Sequence, residues 1–222
     1  MRTLYHLHLD PLCRIIRILM GEKKLEFQLH YERVWDERDD FFSLNPGGEV
    51  PVLVDQNGST IVSFYAIIRY LEDMYTDQSS DQKNPLFMAE VWRLVDWFNG
   101  KFSREVTSKL VFEKIYKRHI LKGYPDSKNI REAQHDIHAH MDYLCYLIDR
   151  RKWIAGETLS IADFTAAAHL SCLDFVGNVP WDKYPEAKEW YMLLKSRPSF
   201  RALLQDQVPG HQAVEHYAVL DF

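Results

Sequence analysis

The chain has 222 residues, of which 46% are hydrophobic and 27% are charged, and its formal net charge is −5 at pH 7. This composition provides for one large or two small globular domains with apolar cores, and it excludes an intrinsically disordered chain. The slight net negative charge argues against general nucleic-acid binding, which depends on the neutralisation of phosphates.

The three cysteines, Cys13, Cys145 and Cys172, are too few and too scattered for a disulfide framework, which indicates a reducing compartment. The opening residues MRTLYHLHLDP have no signal-peptide pattern, and no apolar run has the length of a membrane span. We therefore expect a cytoplasmic protein without membrane insertion.

Residues 1–75 alternate between strand and helix patterns. In chain order they predict a strand at 3–8, a helix with an apolar stripe at 12–19, a strand at 25–34, a short exposed helix at 36–44, two strands at 51–62 and a helix at 64–75. Asn57-Gly58, between two apolar runs, is the strongest short signal for a β-hairpin. The order β-α-β-α-β-β-α predicts a small sheet with helices packed on it.

The rest of the chain has only helical patterns. The polar stretch TDQSSDQKNP is typical of a linker. The predicted division is a first domain at 1–76, a linker at 77–85, an all-helical domain at 86–204 and a non-periodic tail at 205–222, with helices at 86–119, 130–150, 160–176 and 182–196. Ser160 and Asp163 in LSIADF predict a capping box at the start of the third of these helices.

Four motifs, in order, resemble those of the cytosolic glutathione transferases along nearly the whole chain. They are DPLCRIIRILMGEK, NPGGEVPVLV, VSFYAIIRYLED and WIAGETLSIADF. The resemblance implies an α/β thioredoxin-like N-terminal domain followed by an all-α C-terminal domain. It also implies a homodimer, in which the first domain of one subunit contacts the second domain of the other.

Three further stretches are similar to a narrower group of transferase-like proteins in alphaproteobacteria. They are ERVWDER, RPSFRALLQDQVPG and the final HYAVLDF. Proteins of that group bind the tubulin-like division protein FtsZ and promote cell constriction. The resemblance therefore implies FtsZ as a partner.

Asp10 lies where the family has its reactive residue, which is usually a hydroxyl or a cysteine. An ionised aspartate has no proton to donate to a thiolate, and its charge would raise the pKa of a nearby thiol. Asp10 followed by Pro11 is also a preferred start of a helix, with the acid as N-cap and proline at the first helical position. We predict that Asp10 caps the helix rather than catalyses.

Cys13 has two interpretations. It lies in the first turn of the predicted helix, where unpaired N–H groups and the helix dipole favour a thiolate. That position would suit a mixed disulfide with glutathione. The alternative is a small buried hydrophobic residue, which is the commoner role of a free cysteine.

The resemblance assigns glutathione contacts to three further residues. The family's loop places a cis proline at Pro51, and the backbone of Val50 before it pairs with glutathione. Ser63 is the candidate for the family's carboxylate-binding serine, but alignment on the following Ala-Ile pair puts Phe64 there and Ser63 at the family's acid. Ser63 is also a candidate N-cap, and a helix N-terminus can bind an anion as well. One polar contact is missing in either alignment, so we expect glutathione to bind weakly or not at all.

Two charged stretches in the second domain have alternative interpretations. HDIHAH places His135 and His138 one helical turn apart, but a solvated face is typical of this pattern without a further ligand, and we expect no metal. The lysines and arginines between residues 101 and 118 form either a solvated face or a docking surface for an acidic partner.

Two functions from different classes remain. The first is a scaffold with the transferase fold and a degraded site, which binds FtsZ and promotes division. The second is a glutathione-dependent transferase or thiol–disulfide reductase that uses Cys13 or an unusual donor.

The final segment, residues 208–222, has its own pair of interpretations. Tyr217, Val219, Leu220 and Phe222 place four sizeable apolar groups within six residues. Exposed apolar groups of this density usually become covered, so we predict a partner-facing element outside the core. The alternative is that the segment packs back on its own subunit.

Overall fold

The computed structural model describes residues 1–75 and 84–222. The chain divides into two compact units, residues 1–77 and 78–222. Residues 77–83 of the predicted linker lie outside the described residues, and its last two, Asn84 and Pro85, are the N-cap and the first residue of a helix. Within the described part of the chain, no helix is long and apolar enough to cross a membrane.

The first unit has the predicted order β-α-β-α-β-β-α, which confirms the fold class of this half. Its elements are β1 (Arg2–His6), α1 (Pro11–Glu22), β2 (Phe27–Tyr31), α2 (Asp39–Leu44), β3 (Val52–Val54), β4 (Thr60–Val62) and α3 (Phe64–Tyr75). The sheet has the order β2-β1-β3-β4, with β1 and β2 parallel and the other neighbours antiparallel. The predicted hairpin at Asn57-Gly58 joins β3 to β4 and is confirmed.

The strand register brings three segments of the first unit to one edge of the sheet. Tyr5 lies opposite Val52, and Val52 lies opposite Val62. Because antiparallel neighbours run in opposite directions, the segment after β1, the segment before β3 and the residue after β4 share this edge. These segments contain Asp10, Val50-Pro51 and Ser63.

Two elements of the first unit differ from the prediction. The strand predicted at 25–34 is shorter in the structure, where β2 spans Phe27–Tyr31, and its Leu29 side chain is 43% exposed. The reason is that β2 is an outer strand of the sheet and is only half covered. Helix α2 begins at Asp39 rather than at residue 36, because Val34–Asp36 forms a separate 3₁₀ turn and Glu37 has a left-handed φ of 48°.

A buried ion pair ties the sheet to the hairpin turn and to α3. Arg2 Nε and Asp55 Oδ1 are 2.7 Å apart, and both side chains are buried. Arg2 also donates to the hydroxyl of Tyr75 at 2.6 Å, and Tyr70 donates its hydroxyl to Asp55. Burial alone would raise the pKa of Asp55, but the hydrogen bonds and the charge of Arg2 outweigh burial and lower it. The network therefore keeps Asp55 ionised next to its cation.

The described part of the second unit is helical, as predicted. Its α-helices are α4 (Pro85–Asp96), α5 (Ser108–Val111), α6 (Ser127–Arg150), α7 (Ile161–Phe175), α8 (Pro185–Lys195) and α9 (Pro198–Arg201). Helix α6 begins three residues before the predicted start, because the Asp126 carboxylate accepts from the N–H of Lys128 and caps it. Helix α8 begins at Pro185, after a 3₁₀ turn at Trp181–Lys183.

The helix predicted at 86–119 contains two π-helical segments, Trp97–Thr107 and Phe112–Ile120, on either side of α5. The first segment holds the buried His169 of α7, whose Nε2 is 3.0 Å from Asn99 Oδ1 and whose Nδ1 is 3.0 Å from Thr107 Oγ1. Burial lowers the pKa of His169 to about 3, so its ring is neutral. Because the Asn99 oxygen can only accept, Nε2 donates to it and Nδ1 accepts from the threonine.

The predicted capping box at the start of α7 is present. The Asp163 carboxylate accepts from the N–H of Ser160 at 3.0 Å, and the Ser160 hydroxyl accepts from the N–H of Ala162 at 3.2 Å. Asp163 also accepts from the N–H of Ile154 at 2.9 Å. Burial raises the pKa of Asp163 to about 6, although the backbone hydrogen bonds oppose the change.

The prediction that residues 208–222 lie outside the core is wrong. Tyr217 is 1% exposed, its ring packs against Phe175, and its hydroxyl donates to the carbonyl of Leu203 at 3.2 Å. The ring of Phe222 stacks on His216 with a centroid distance of 4.7 Å. The segment packs back on its own unit, because it supplies partners to a buried acid. Sequence periodicity does not reveal this long-range contact.

That acid is Asp174, at the end of α7, which is fully buried. Its carboxylate lies 2.8 Å from His216 Nε2 and 3.6 Å from Lys195 Nζ, and it accepts from Trp181 Nε1 at 2.8 Å. Burial lowers the pKa of Lys195, although the charge of Asp174 opposes the change. The C-terminal segment is therefore held by a buried charged network, which we call the Asp174 network: Asp174, Trp181, Lys195 and His216.

We expect Asp163 to make the free energy of unfolding fall as pH rises. The pKa of Asp163 in the folded protein is about 6, above the ordinary 3.8. Its contribution to the free energy of unfolding is therefore complete below pH 3.8 and is lost as pH rises through the folded-state pKa. This difference corresponds to about 3 kcal/mol. Urea unfolding between about pH 4 and pH 7.5 would measure this loss of stability in the wild type and in Asp163→Asn, whose side chain cannot titrate. The same pH dependence in both proteins would contradict this expectation.

Candidate functional site

Asp10 is the N-cap of α1, as predicted. Its Oδ1 accepts from the N–H of Cys13 at 2.7 Å, and its backbone is extended with φ −94° and ψ 118°. Pro11 follows at the first helical position. Burial raises the pKa of Asp10, while the N–H groups of Cys13 and Leu12 oppose the change. Asp10 is thus more easily protonated than an ordinary aspartate.

Cys13 is enclosed in the first unit, with 0% exposure. Burial raises the pKa of its thiol well above the ordinary value, and the charge of Asp10 raises it further. The helix dipole favours a thiolate at this position, but desolvation outweighs it. Since the thiolate is the nucleophile, a buried thiol that stays protonated at neutral pH is poorly suited to mixed-disulfide chemistry.

The loop before β3 has the predicted cis peptide bond between Val50 and Pro51. Pro51 is buried and Val50 is half-buried. Across residues 1–75 and 84–222, the backbone N–H and C=O of Val50 have no hydrogen-bond partner. These two groups are free to pair with an extended ligand at the sheet edge, as a further strand would.

Ser63 is exposed, and its backbone has a φ of 78°, in the left-handed region. A helix N-cap ordinarily has an extended backbone, and its side chain accepts from an N–H of the first turn. Among the described residues the Ser63 hydroxyl makes no hydrogen bond, so the prediction that it caps α3 is wrong. A non-glycine residue at this φ is strained, and such strain is frequent at binding sites.

Phe64 occupies the position of the family's carboxylate-binding serine in the alignment on the Ala-Ile pair. It is 4% exposed, and its ring packs edge-on against Tyr65 with a centroid distance of 5.1 Å. A buried phenyl ring cannot hydrogen-bond a carboxylate. Ser63, by contrast, has an exposed hydroxyl that could contact an anion.

An aromatic cluster at the same sheet edge was missed from the sequence. His8, just before Asp10 in the chain, stacks on Tyr31 with a centroid distance of 4.7 Å. Tyr31, the last residue of β2, is in turn 6.5 Å from the ring of Trp35. Because parallel strands β1 and β2 end together, His8 and Tyr31 meet here. The signal that could have revealed this cluster is the run of aromatic residues at the predicted ends of these two strands.

The other predicted candidates lie in the second unit. His138 Nδ1 is 3.0 Å from the hydroxyl of Tyr184, and no group of three or more metal-ligating side chains occurs in the described ranges. Of the basic side chains between residues 101 and 118, Lys101 pairs with Glu105, and Lys117 lies 3.0 Å from the buried Glu113. These two lysines are committed to internal pairs, which leaves less free charge for an acidic partner.

Two family models match the chain. The model of the glutathione S-transferase N-terminal domain matches residues 11–74, and that of the C-terminal domain matches residues 88–198. FtsZ-localized protein A of Caulobacter vibrioides is 42% identical over 224 aligned residues, which cover 100% of this chain and 98% of the relative.

Two solved structures are similar over the whole length. A glutathione S-transferase from Rhodospirillum rubrum F11 has a TM-score of 0.97 and 49% identity, and the match covers 100% of both chains. FzlA from C. crescentus has a TM-score of 0.95 and 42% identity, and the match covers 100% of this chain and 99% of that one.

We expect Asp10→Ala to lower the free energy of unfolding by about 1 kcal/mol, because the Cys13 N–H loses its acceptor. Asp10→Ser and Asp10→Asn keep an acceptor and remove the partly buried carboxylate, so both should stay close to wild type. Urea denaturation at neutral pH measures the three changes. A loss for Asp10→Ser as large as that for Asp10→Ala would contradict a capping role.

Proposed function

The chain belongs to the glutathione S-transferase family, and we propose that within it the protein is a scaffold that binds FtsZ and promotes cell division. The observation that carries this proposal is the 42% identity to FtsZ-localized protein A over the full chain. The match extends through the C-terminal segment, which the family model of the C-terminal domain, ending at residue 198, does not include.

The geometry of the sheet edge supports a site degraded for glutathione chemistry. Asp10 uses an oxygen to accept from Cys13, rather than offering a hydroxyl to a thiolate. The Cys13 thiol is buried and hard to ionise. Phe64 fills the carboxylate-binding position with a buried ring. Each change removes one of the interactions on which activation or tight binding of glutathione depends.

The second candidate is a glutathione-dependent transferase or thiol–disulfide reductase. Two observations favour it: the cis Pro51 with the unpaired backbone of Val50, and the strained, exposed Ser63. The similar protein from R. rubrum is a glutathione S-transferase. Glutathione could pair with Val50 and place its carboxylate near Ser63, but no side chain described above supplies the hydroxyl that would activate its thiol.

We propose a homodimer in the cytoplasm. The three cysteines are free, in keeping with a reducing compartment. Exposed apolar side chains are available in both units: Tyr65 and Met74 on α3, and Leu86 and Tyr146 in the second unit, each more than half exposed. Such groups are commonly covered by a second copy of the same chain.

We expect the protein to co-sediment with polymerised FtsZ and to conjugate glutathione to standard electrophiles slowly or not at all. Asp10→Ser restores a hydroxyl while keeping the cap, so it should raise any trace of activity and leave FtsZ binding unchanged. Filament pelleting, glutathione calorimetry and a conjugation assay measure the three properties. The enzyme would be favoured if the wild type conjugates glutathione rapidly, Asp10→Ser conjugates it more slowly, and the wild type does not co-sediment with FtsZ.

We expect light scattering to give twice the 26.3 kDa mass of one chain. Met74→Asp should shift the population toward monomer, because a charge on the interface must be desolvated. Leu121→Asp is the matched control, since Leu121 and Met74 are both 57% exposed. A monomeric wild type, or equal effects of the two substitutions, would oppose this arrangement.

A further inference from the structure

A groove of about 750 Å³ lies in the second unit between the end of α6, the outer side of α8 and the last residues of the chain. Its apolar lining consists of Ile148, Trp190, Met192, Leu193 and Leu220. Trp190 is 3% exposed and forms the floor, whereas Leu193 is 61% exposed at the side. This volume is large enough for one or two side chains of a docked peptide segment.

One wall of the groove is the C-terminal segment. Leu220 and Asp221 line it, and the next residue, Phe222, is fixed by the Asp174 network. The Phe222 ring lies 4.1 Å from Lys195 Nζ and stacks on His216. Lys188 Nζ lies 4.6 Å from the centre of the same ring. The buried charges therefore hold the groove wall in place.

The charges around the groove are unequal. Its acidic residues are Asp149, Glu186, Glu189 and Asp221, and its basic residues are Arg151 and Lys152. Arg151 is already engaged, with Nη1 2.6 Å from Glu90 Oε1 and 2.7 Å from the Ile154 carbonyl.

Asp149 pairs with Arg150. Across the described ranges, the remaining charges have no ion-pair partner, namely Glu186, Glu189, Asp221 and Lys152. Three free carboxylates thus face one free ammonium group. An apolar floor with an acidic rim is complementary to a segment that carries an apolar side chain next to lysine or arginine.

We propose that this groove receives such a basic–apolar segment of FtsZ. The inference rests on the proposed function and adds to it the surface and the chemistry of recognition. The partner's apolar side chain inserts against Trp190 beside Leu193, and its cation meets Glu186 and Glu189. The apolar area newly buried belongs mainly to Leu193 and to the partner's own side chain, and this burial supplies affinity, while the rim charges supply orientation and rate.

The test is co-sedimentation of the full-length protein with FtsZ filaments. We expect Glu186→Lys/Glu189→Lys and Leu193→Ser each to weaken binding by about tenfold or more. Lys152→Glu should strengthen binding, because it replaces an unpaired cation of the rim, as far as the described residues show, with a further carboxylate. Asp182→Lys/Glu215→Lys, which reverses two exposed acids outside the lining, is the matched control and should bind like wild type.

The outcomes separate the two proposals. A wild type that does not co-sediment overturns the proposed function and this inference with it. If the wild type binds FtsZ and the groove variants bind it as well as the wild type or the control pair does, the groove proposal alone is overturned. Thermal melting checks that each variant is folded, and the opposite sign expected for Lys152→Glu cannot come from misfolding. The groove is supported if wild-type binding weakens at high salt and the variants change binding in the directions given above.

Discussion

The buried carboxylate of Asp174 is the constraint on which the second unit and its candidate surface depend. A fully buried charge needs hydrogen bonds or an opposite charge, because its desolvation would otherwise oppose folding by several kcal/mol. The compensating groups come from separate segments: Trp181 before α8, Lys195 at the end of α8 and His216 near the end of the chain. One acid thus recruits three stretches of sequence, and the C-terminal segment becomes part of the core as a result.

The first unit shows which parts of the transferase fold do not depend on a bound ligand. Asp10 still satisfies the first turn of α1, and Pro51 still sets the entry to β3, whether or not a ligand is present. The buried pair of Arg2 and Asp55 ties the sheet to α3 without involving the site edge. Caps, turns and a buried ion pair therefore stabilise this unit. An aspartate in place of a serine at position 10 costs little stability, since aspartate caps as well as serine.

Local signals explain what could be predicted from sequence. Asn57-Gly58, Asp10-Pro11 and the pair of Ser160 and Asp163 act within a few residues, and each predicted the turn or cap that is present. The errors arise where distant contacts decide. Ser63 has its left-handed backbone at the junction of β4 and α3, and the first π-helical segment holds His169 of another helix. The sequence pattern around Ser63 or within residues 97–107 does not predict contacts with such distant residues.

The C-terminal segment illustrates why packing and partner contact are not exclusive. Tyr217 is buried, while Val219 is 44% exposed and Leu220 lines the groove, so successive residues face inward and outward. Deleting residues 215–222 would remove His216 from Asp174 and remove the groove wall in the same step. The truncated protein would lose stability and any groove-dependent binding together, and neither loss would identify its cause. Point changes at the rim leave the Asp174 network intact, and for this reason they can separate recognition from folding where truncation cannot.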